Sequence, residues 1–206
     1  MNGLENITND FLVGFISNSI SFDTALVTKE QVQAILDNKT DGIDARITTL
    51  VNNYLDAFLY AMTLATNKTK LDENILKDIH EKIVSTLSTG GLYRNVDISI
   101  KGSNHTPPSY LKVYDRMGKY FNQLSDETAD PLYNIAFSHL QLMKIHPFLD
   151  GNGRLARIIL NYELVYYGYN PIYLTFDKKE EYFKLLEDFK VNKNIDSFIS
   201  FIKQYL

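Results

Sequence analysis

The chain has 206 residues, of which 45% are hydrophobic and 22% charged, and this length and balance favour one globular domain with an ordinary core. It contains no cysteine, which excludes a disulfide framework, a thiolate metal site and a cysteine nucleophile. A formal net charge of -4 and the lack of any apolar run long enough to span a bilayer predict neither nucleic-acid nor membrane partners and a cytoplasmic location.

Helical spacing of apolar residues dominates the first half of the chain. The predicted helices cover residues 4–20, 28–37, 43–66 and 72–87. Thr28 is the candidate cap of the second helix, and Gly90 and Gly91 end the fourth. Glu5 and Asp10 stand where a signal peptide would be positively charged, so the first segment is interpreted as part of the mature protein.

The spacing changes after the fourth helix, where apolar and polar residues alternate with a period of two. The alternating residues are Val96, Asp97, Ile98, Ser99 and Ile100. Turn-forming residues follow at 102–108, so the pattern predicts a short strand or hairpin. Further helices are predicted over 110–124, 131–145, 154–167, 179–190 and 195–206. The sequence therefore predicts an all-α fold interrupted by one short β-hairpin.

The segment 146–157 combines residues that suit a polyphosphate. Gly151 and Gly153 flank Asn152 where a loop becomes a helix, so backbone N–H groups can converge there on one anion. The positive end of the following helix adds to this site, and Arg154 and Arg157 contribute two charges from one helical face. These features predict an anion-binding site at the start of that helix.

Two further residues of this segment suit phosphate chemistry. Asp150 precedes the glycines, where a carboxylate can hold a magnesium ion that also binds phosphate oxygens. His146 can be neutral near pH 7, as a general base must be. Taken singly, each residue is better explained by a turn, a surface ion pair or a buried histidine, and only the combination indicates a catalytic site.

The segment 146–157 matches, at every fixed position, the signature His-x-Phe-x-Asp/Glu-Gly-Asn-Gly-Arg-x-x-Arg, and the chain resembles the Fic family from about residue 10 to its end. The resemblance implies a Fic-type helical domain with a β-hairpin flap. It divides the chain into an N-terminal segment, 1–37, and a catalytic domain, 38–206.

The resemblance implies a protein adenylyltransferase that moves AMP from ATP to a Ser, Thr or Tyr hydroxyl of a target protein. In that reaction His146 takes the hydroxyl proton, and pyrophosphate leaves. Asn152 and the glycine-rich turn would hold the α-phosphate, Asp150 the Mg²⁺, and Arg154 and Arg157 the β- and γ-phosphates.

Other parts of the chain resemble the family less directly. The strand predicted at 96–100 would pair with an extended segment of the target, and the alternative is a hairpin that only closes the core. Tyr182 and Phe183 match two aromatic residues near the nucleotide, and core packing explains them as well. Lys190 stands where relatives commonly have asparagine near the adenine, which leaves base selectivity open. Gly153 favours AMP transfer, because relatives that phosphorylate carry lysine there.

Three other functions fit the same signature. The first is transfer of UMP, GMP or phosphocholine, since a phosphate cradle does not distinguish the base. The second is a regulator that binds ATP without turning it over, against which the intact His146 and Asp150 speak. The third is removal of AMP from a target, which in this family depends on a regulatory glutamate.

Regulation is expected from an inhibitory motif, Ser/Thr-x-x-x-Glu-Gly/Asn, that many relatives carry. Its glutamate pairs with the second arginine of the signature. Here the match begins at Ser17, and Ser21 stands at the glutamate position. A serine hydroxyl is neutral and too short to hold Arg157 away from ATP. The sequence therefore predicts a weakly autoinhibited, self-modifying and constitutively active transferase.

Overall fold

A computed structural model describes residues 7–23, 26–100, 102–126 and 130–206. The helices are α1 (Asn9–Asp23), α2 (Lys29–Leu36), α3 (Ala45–Thr66), α4 (Glu73–Val84), α5 (Val113–Leu124), α6 (Pro131–Ile145), α7 (Asn152–Tyr166), α8 (Lys179–Asn192) and α9 (Asp196–Ile202). Single 3₁₀ turns, Tyr110–Lys112 and Phe176–Lys178, precede α5 and α8. Within the described ranges, no helix is both long and apolar enough to cross a bilayer.

Side-chain caps explain where several helices begin. Thr28 and Gln31 form a reciprocal capping box at α2, which confirms the predicted start of that helix. Asp44, Asp72 and Asp130 each accept backbone N–H groups at the first turn of α3, α4 and α6. These caps satisfy backbone donors that a helix leaves without partners.

Helix α7 is the centre of the fold. Its residues from Asn152 to Val165 are all buried, as expected of a helix that neighbours surround on every side. Helices α1, α3, α4 and α6 pack against it, and Tyr162, Leu160 and Ile158 lie in the core between them. The N-terminus of α7 is consequently held rigidly from several directions.

The predicted hairpin at 96–100 is wrong: neither this segment nor any other part of the chain that the structure describes forms a β-strand. Arg94, which is buried, takes the place of ladder hydrogen bonds. Its guanidinium donates to the carbonyl oxygens of Val96 (2.9 Å), Pro108 and His146 (2.9 Å). One side chain thus satisfies backbone acceptors that a second strand would otherwise bind, and it fixes this segment beside His146.

A buried carboxyl on α7 is expected to make stability fall as pH rises. Glu163 lines a cavity of about 220 Å³ with Lys70, and burial raises the pKa of Glu163 from 4.5 to about 8, although Lys70 opposes the shift. The unfolded chain therefore loses this proton near pH 4.5 and the folded chain only near pH 8, so the folded state binds more protons between them.

The contribution of Glu163 to the free energy of unfolding should accordingly decrease from pH 5 to pH 8, and Glu163→Gln should remove this contribution, which is on the order of 3 kcal/mol. Urea unfolding at both pH values measures the difference. The exposed Glu180→Gln serves as the control. Parallel pH dependence of the wild type and Glu163→Gln would contradict this assignment.

Candidate active site

The loop between α6 and α7 has a fixed shape that depends on two left-handed residues and one amide. Helix α6 ends at His146, which has φ 52°, and Gly151 has φ 77°. Asn152 accepts a hydrogen bond from the Phe148 N–H (3.0 Å) and donates to the Phe148 carbonyl (2.8 Å). The Asn152 side chain thus holds the loop and is not available to a ligand. Its backbone N–H lies at the helix N-terminus, where it could bind an anion.

His80 on α4 supports the same loop, and sequence reasoning missed it. Its Nδ1 accepts from the Gly91 N–H (3.0 Å), so its Nε2 donates to the Asp150 carbonyl (2.9 Å). The ring stacks on Phe148 with centroids 3.7 Å apart. Burial lowers the pKa of His80 to about 4, which keeps the ring neutral. The only sign of this role in the sequence is that His80 lies on the apolar face of α4.

His146 lies half-buried at the end of α6. Burial lowers the pKa of His146 to about 4, although the nearby Met143 carbonyl favours the protonated ring. Its Nδ1 is buried and has no hydrogen-bond partner among the described residues. The ring is therefore neutral at pH 7, as a proton acceptor must be.

Asp150 is the exposed acid of the loop. One carboxylate oxygen accepts from the Gly151 N–H at 2.6 Å, and the other accepts from Nη2 of Arg154 at 3.2 Å. The side chain is 66% exposed. No cluster of three or more potential metal ligands occurs within the described ranges. A single exposed carboxylate does fit Mg²⁺ that takes its remaining ligands from phosphate and water.

The two arginines of the loop are buried, and each keeps donors unused. Nε and Nη1 of Arg154 and Nη1 of Arg157 lack hydrogen-bond partners among the described residues. Both side chains are at most 3% exposed. Buried guanidinium nitrogens are normally paired, so these donors have hydrogen-bonding capacity that an anion could use.

Arg157 is nevertheless bound by helix α1. Its Nε donates to the Ser19 hydroxyl (2.6 Å), and its Nη2 donates to the Ser19 carbonyl (2.8 Å) and to the Asp23 carboxylate (2.5 Å). Burial opposes ionisation, but the charge of Asp23 raises the pKa of Arg157. The pair is an ion pair largely removed from water.

The Asp23 carboxylate also covers Gly153. A Cβ atom at Gly153 would lie 2.5 and 2.7 Å from the two Asp23 carboxylate oxygens, so a side chain at this position would require Asp23 to move. Asp23 thus places a carboxylate at the first turn of α7, beside Arg157. This is the position where the glycine-rich turn predicts a phosphate.

The expectation that Arg157 lacks a charged partner from the first helix is wrong. The Ser21 hydroxyl accepts instead from the Val27 N–H (3.0 Å), and the Ser17 hydroxyl donates to the Val13 carbonyl (2.7 Å). Ser19 and Asp23 are four residues apart and share a helix face. A shift of two residues turns a side chain by about 200° around a helix, so the register that begins at Ser17 faces away from Arg157.

Tyr182 is buried beneath the site, and Phe183 is half-buried. The Tyr182 hydroxyl donates to His139 Nε2 (2.9 Å), while His139 Nδ1 donates to the Ala156 carbonyl (2.9 Å). Phe183 lies 5.3 Å from the Tyr182 ring. Phe22 packs on the Arg157 guanidinium at 5.2 Å. These aromatic side chains support Arg157 from the core side.

Lys190 is buried and already paired. Its ammonium donates to Glu187 (2.9 Å) and to the Ser103 hydroxyl (3.3 Å), and Ser103 itself donates to Glu187 (2.5 Å). This network attaches the loop after residue 101 to α8. The exposed segment 96–100 and this loop therefore lie along the edge of the site. Arg94 binds the segment, and Lys190 binds the loop.

A neutral histidine, an exposed carboxylate and a helix N-terminus with two buried arginines lie together here, and these are groups that suit phosphate chemistry. Residues 70–164 match the model of the Fic/DOC family. The match includes the whole loop 146–157 and its two flanking helices except for the last residues of α7.

Comparison with known proteins extends the likeness beyond these residues. The chain is 26% identical over 180 residues to protein adenylyltransferase Fic of Drosophila grimshawi and 25% identical to that of Drosophila melanogaster. Each alignment covers 84% of this chain but only 37% and 36% of the relatives, so the chain spans less than two-fifths of their length.

Solved structures show the same fold. Fic-1 from C. elegans superposes with a TM-score of 0.85 at 20% identity, over 98% of this chain and 62% of that one. A Fic domain-containing signaling protein from Bacteroides thetaiotaomicron gives 0.87 at 21% identity, over 98% of this chain and 86% of that one. The described helices therefore adopt the Fic fold.

Proposed function

We propose that the chain is a protein adenylyltransferase that transfers AMP from ATP to a hydroxyl group of a target protein. The observation that carries this proposal is the Asp23 carboxylate on Gly153 and Arg157, since it marks an oxyanion site at the start of α7. The names of the Drosophila relatives support the choice of reaction. The loop 146–157 carries the residues that this chemistry requires.

In the proposed reaction, the hydroxyl oxygen of the target forms a bond to the α-phosphorus of ATP. The bond from the α-phosphorus to the bridging oxygen breaks, and pyrophosphate leaves. His146 accepts the hydroxyl proton, because its ring is neutral at pH 7. Arg154 and Arg157 bind the β- and γ-phosphates, for which they have unused donors. Asp150 holds Mg²⁺, which would neutralise phosphate charge.

The target is proposed to lie along the segment 96–100. This segment is mostly exposed, and Arg94 connects the Val96 carbonyl to the His146 carbonyl. An extended piece of the target could therefore form backbone hydrogen bonds beside the catalytic histidine even though this segment forms no strand in the free chain. An exposed hydroxyl on this chain would be modified by the same chemistry.

Asp23 is proposed to inhibit the enzyme. Its carboxylate occupies the donors that an ATP phosphate needs, so ATP must displace it from Arg157. The Asp23 carboxylate and an ATP phosphate would repel each other strongly if both bound at the start of α7. Activity would therefore depend on movement of the end of α1, in place of the constitutive activity that the sequence predicts.

Incubation with Mg²⁺ and ATP, followed by mass spectrometry of the chain and of lysate proteins, tests the proposed reaction. We expect an AMP-sized mass increase on a Ser, Thr or Tyr residue. Parallel reactions with GTP and UTP measure base selectivity. A phosphate-sized increase, or no increase even with Asp23→Ala, would contradict adenylyl transfer.

Asp150→Ala is expected to remove both activity and magnesium dependence, because the carboxylate is the proposed protein ligand of the metal. Magnesium titration of ATP binding by calorimetry measures the effect. The exposed Asp177→Ala, which lies outside the loop, is the matched control. An unchanged magnesium titration in Asp150→Ala would place the metal elsewhere.

A further inference from the structure

A cavity of about 420 Å³ lies beside the N-terminus of α7. It is enclosed by the start of α3, the end of α4 and the loop before α7. Its apolar walls are formed by Ile47, Leu50, Val84 and Leu87. This volume and this composition are those of pockets that bind small organic molecules.

The charged groups around this cavity favour an anion. Asp44 accepts from the N–H groups of Arg46 (2.7 Å) and Ile47 (3.3 Å), and Asp150 accepts from Gly151 and Arg154. Both carboxylates are therefore already bound by donors. Arg154 lines the cavity, is 2% exposed and has no acceptor for Nε and Nη1 among the described residues. The unmet hydrogen-bonding capacity is that of a buried cation.

The cavity differs from the position that Asp23 occupies. Gly153 and Arg157 face α1, where they contact the Asp23 carboxylate. Arg154 instead lines a space shared with residues of α3 and α4. A polyphosphate would gain nothing from the four apolar side chains there, whereas a ligand with an apolar body would bury its surface against them.

We propose that this cavity binds a small amphipathic anion, whose apolar body lies against Leu50 and Leu87 and whose carboxylate or phosphate group pairs with Arg154. Water occupies about 30 Å³ per molecule in the liquid, so the cavity admits a ligand on the order of ten non-hydrogen atoms. Asp150 and Arg154, which the proposed transferase reaction also uses, line this cavity, but binding of the amphipathic anion does not depend on that reaction.

One consequence does rest on the proposed function. If Arg154 also binds a phosphate of ATP, the two ligands use the same guanidinium and should weaken each other. Such coupling is reciprocal, so the anion should lower the affinity for inorganic tripolyphosphate by the same factor by which tripolyphosphate lowers that for the anion.

Calorimetric titration with octanoate, octanol and octylammonium tests the site on the full chain. We expect octanoate to bind saturably with a Kd of about 1 mM or tighter, and octylammonium at least about tenfold more weakly. Absence of saturable octanoate binding would overturn the proposal. Equal binding of octylammonium would overturn the assignment of an anion.

A variant that fills the cavity tests its position. Leu87→Trp should weaken octanoate binding at least about tenfold, because the larger side chain takes the space of the apolar body. Leu59→Trp, at an exposed position outside the cavity, is the matched control and should bind as the wild type does. If Leu87→Trp is unstable, the comparison of the three octyl compounds on the wild type still decides the proposal.

Tripolyphosphate binding separates this proposal from the proposed function. Leu87→Trp should retain it within about twofold, since Leu87 lies away from Gly153 and Arg157. Octanoate binding without any binding of tripolyphosphate would contradict the transferase site and leave the cavity as a site. The reverse result would exclude the cavity and leave the transferase site intact.

Discussion

Replacing His146 with alanine is expected to lower the rate of adenylyl transfer by at least about 10² to 10⁴, while ATP remains bound. In the proposed reaction the ring acts on the hydroxyl proton in the transition state, whereas the phosphates bind to the start of α7 and to its arginines, which have unused donors. Loss of rate with retained affinity is the result expected of a general base.

The experiment is best performed in the background of Asp23→Ala, in which the proposed inhibition is removed and the full loss can be measured. Calorimetry with ATP and an unfolding curve show whether the double variant still binds and folds. Because burial lowers the pKa of His146 to about 4, the rate should be nearly constant around pH 7 and decline only as pH falls toward that value. Transfer by His146→Ala at the unaltered rate would exclude this residue as the base.

Asp23→Ala is expected to raise the affinity for Mg²⁺-ATP by about 10- to 100-fold. The substitution removes a charge-assisted hydrogen bond of about 1.5 to 3 kcal/mol that ATP would otherwise have to displace from Arg157. The rate of transfer at low ATP should rise in parallel. Calorimetry with ATP measures the affinity, and the mass-spectrometric assay measures the rate.

The same substitution should destabilise the chain in the absence of nucleotide. It leaves the buried Arg157 without its charged partner, which costs about 1.5 to 3 kcal/mol, because the Asp23 side chain is 24% exposed and Arg157 keeps its hydrogen bonds to Ser19. ATP should then restore stability, so the thermal shift on ATP binding should be larger in Asp23→Ala than in the wild type. Asp10→Ala, at an exposed position of α1, is the control. Equal ATP affinity of the wild type and Asp23→Ala would show that Asp23 does not compete with the phosphates.

Much of the fold follows from local sequence features. Caps such as Thr28 and the apolar spacing along α3 and α4 act over a few residues, so they predict helices without knowledge of their neighbours. The prediction of a hairpin was wrong because the alternation of apolar and polar residues at 96–100 indicates only an extended chain. Arg94, a buried side chain, binds the Val96 carbonyl of this segment together with those of Pro108 and His146, and the segment forms no strand.

The sequence by itself determined the candidate reacting residues, because the loop 146–157 holds its histidine, carboxylate, glycines and arginines within twelve positions. Only the tertiary structure decided what lies against them. Which residue of α1 meets Arg157 depends on the rotation of one helix against another, and two residues of register separate Ser21 from Asp23. The support of the loop by His80 likewise arises from the packing of α4, 70 residues away in the chain from Asp150. Such contacts depend on how the helices pack, and no local pattern encodes that.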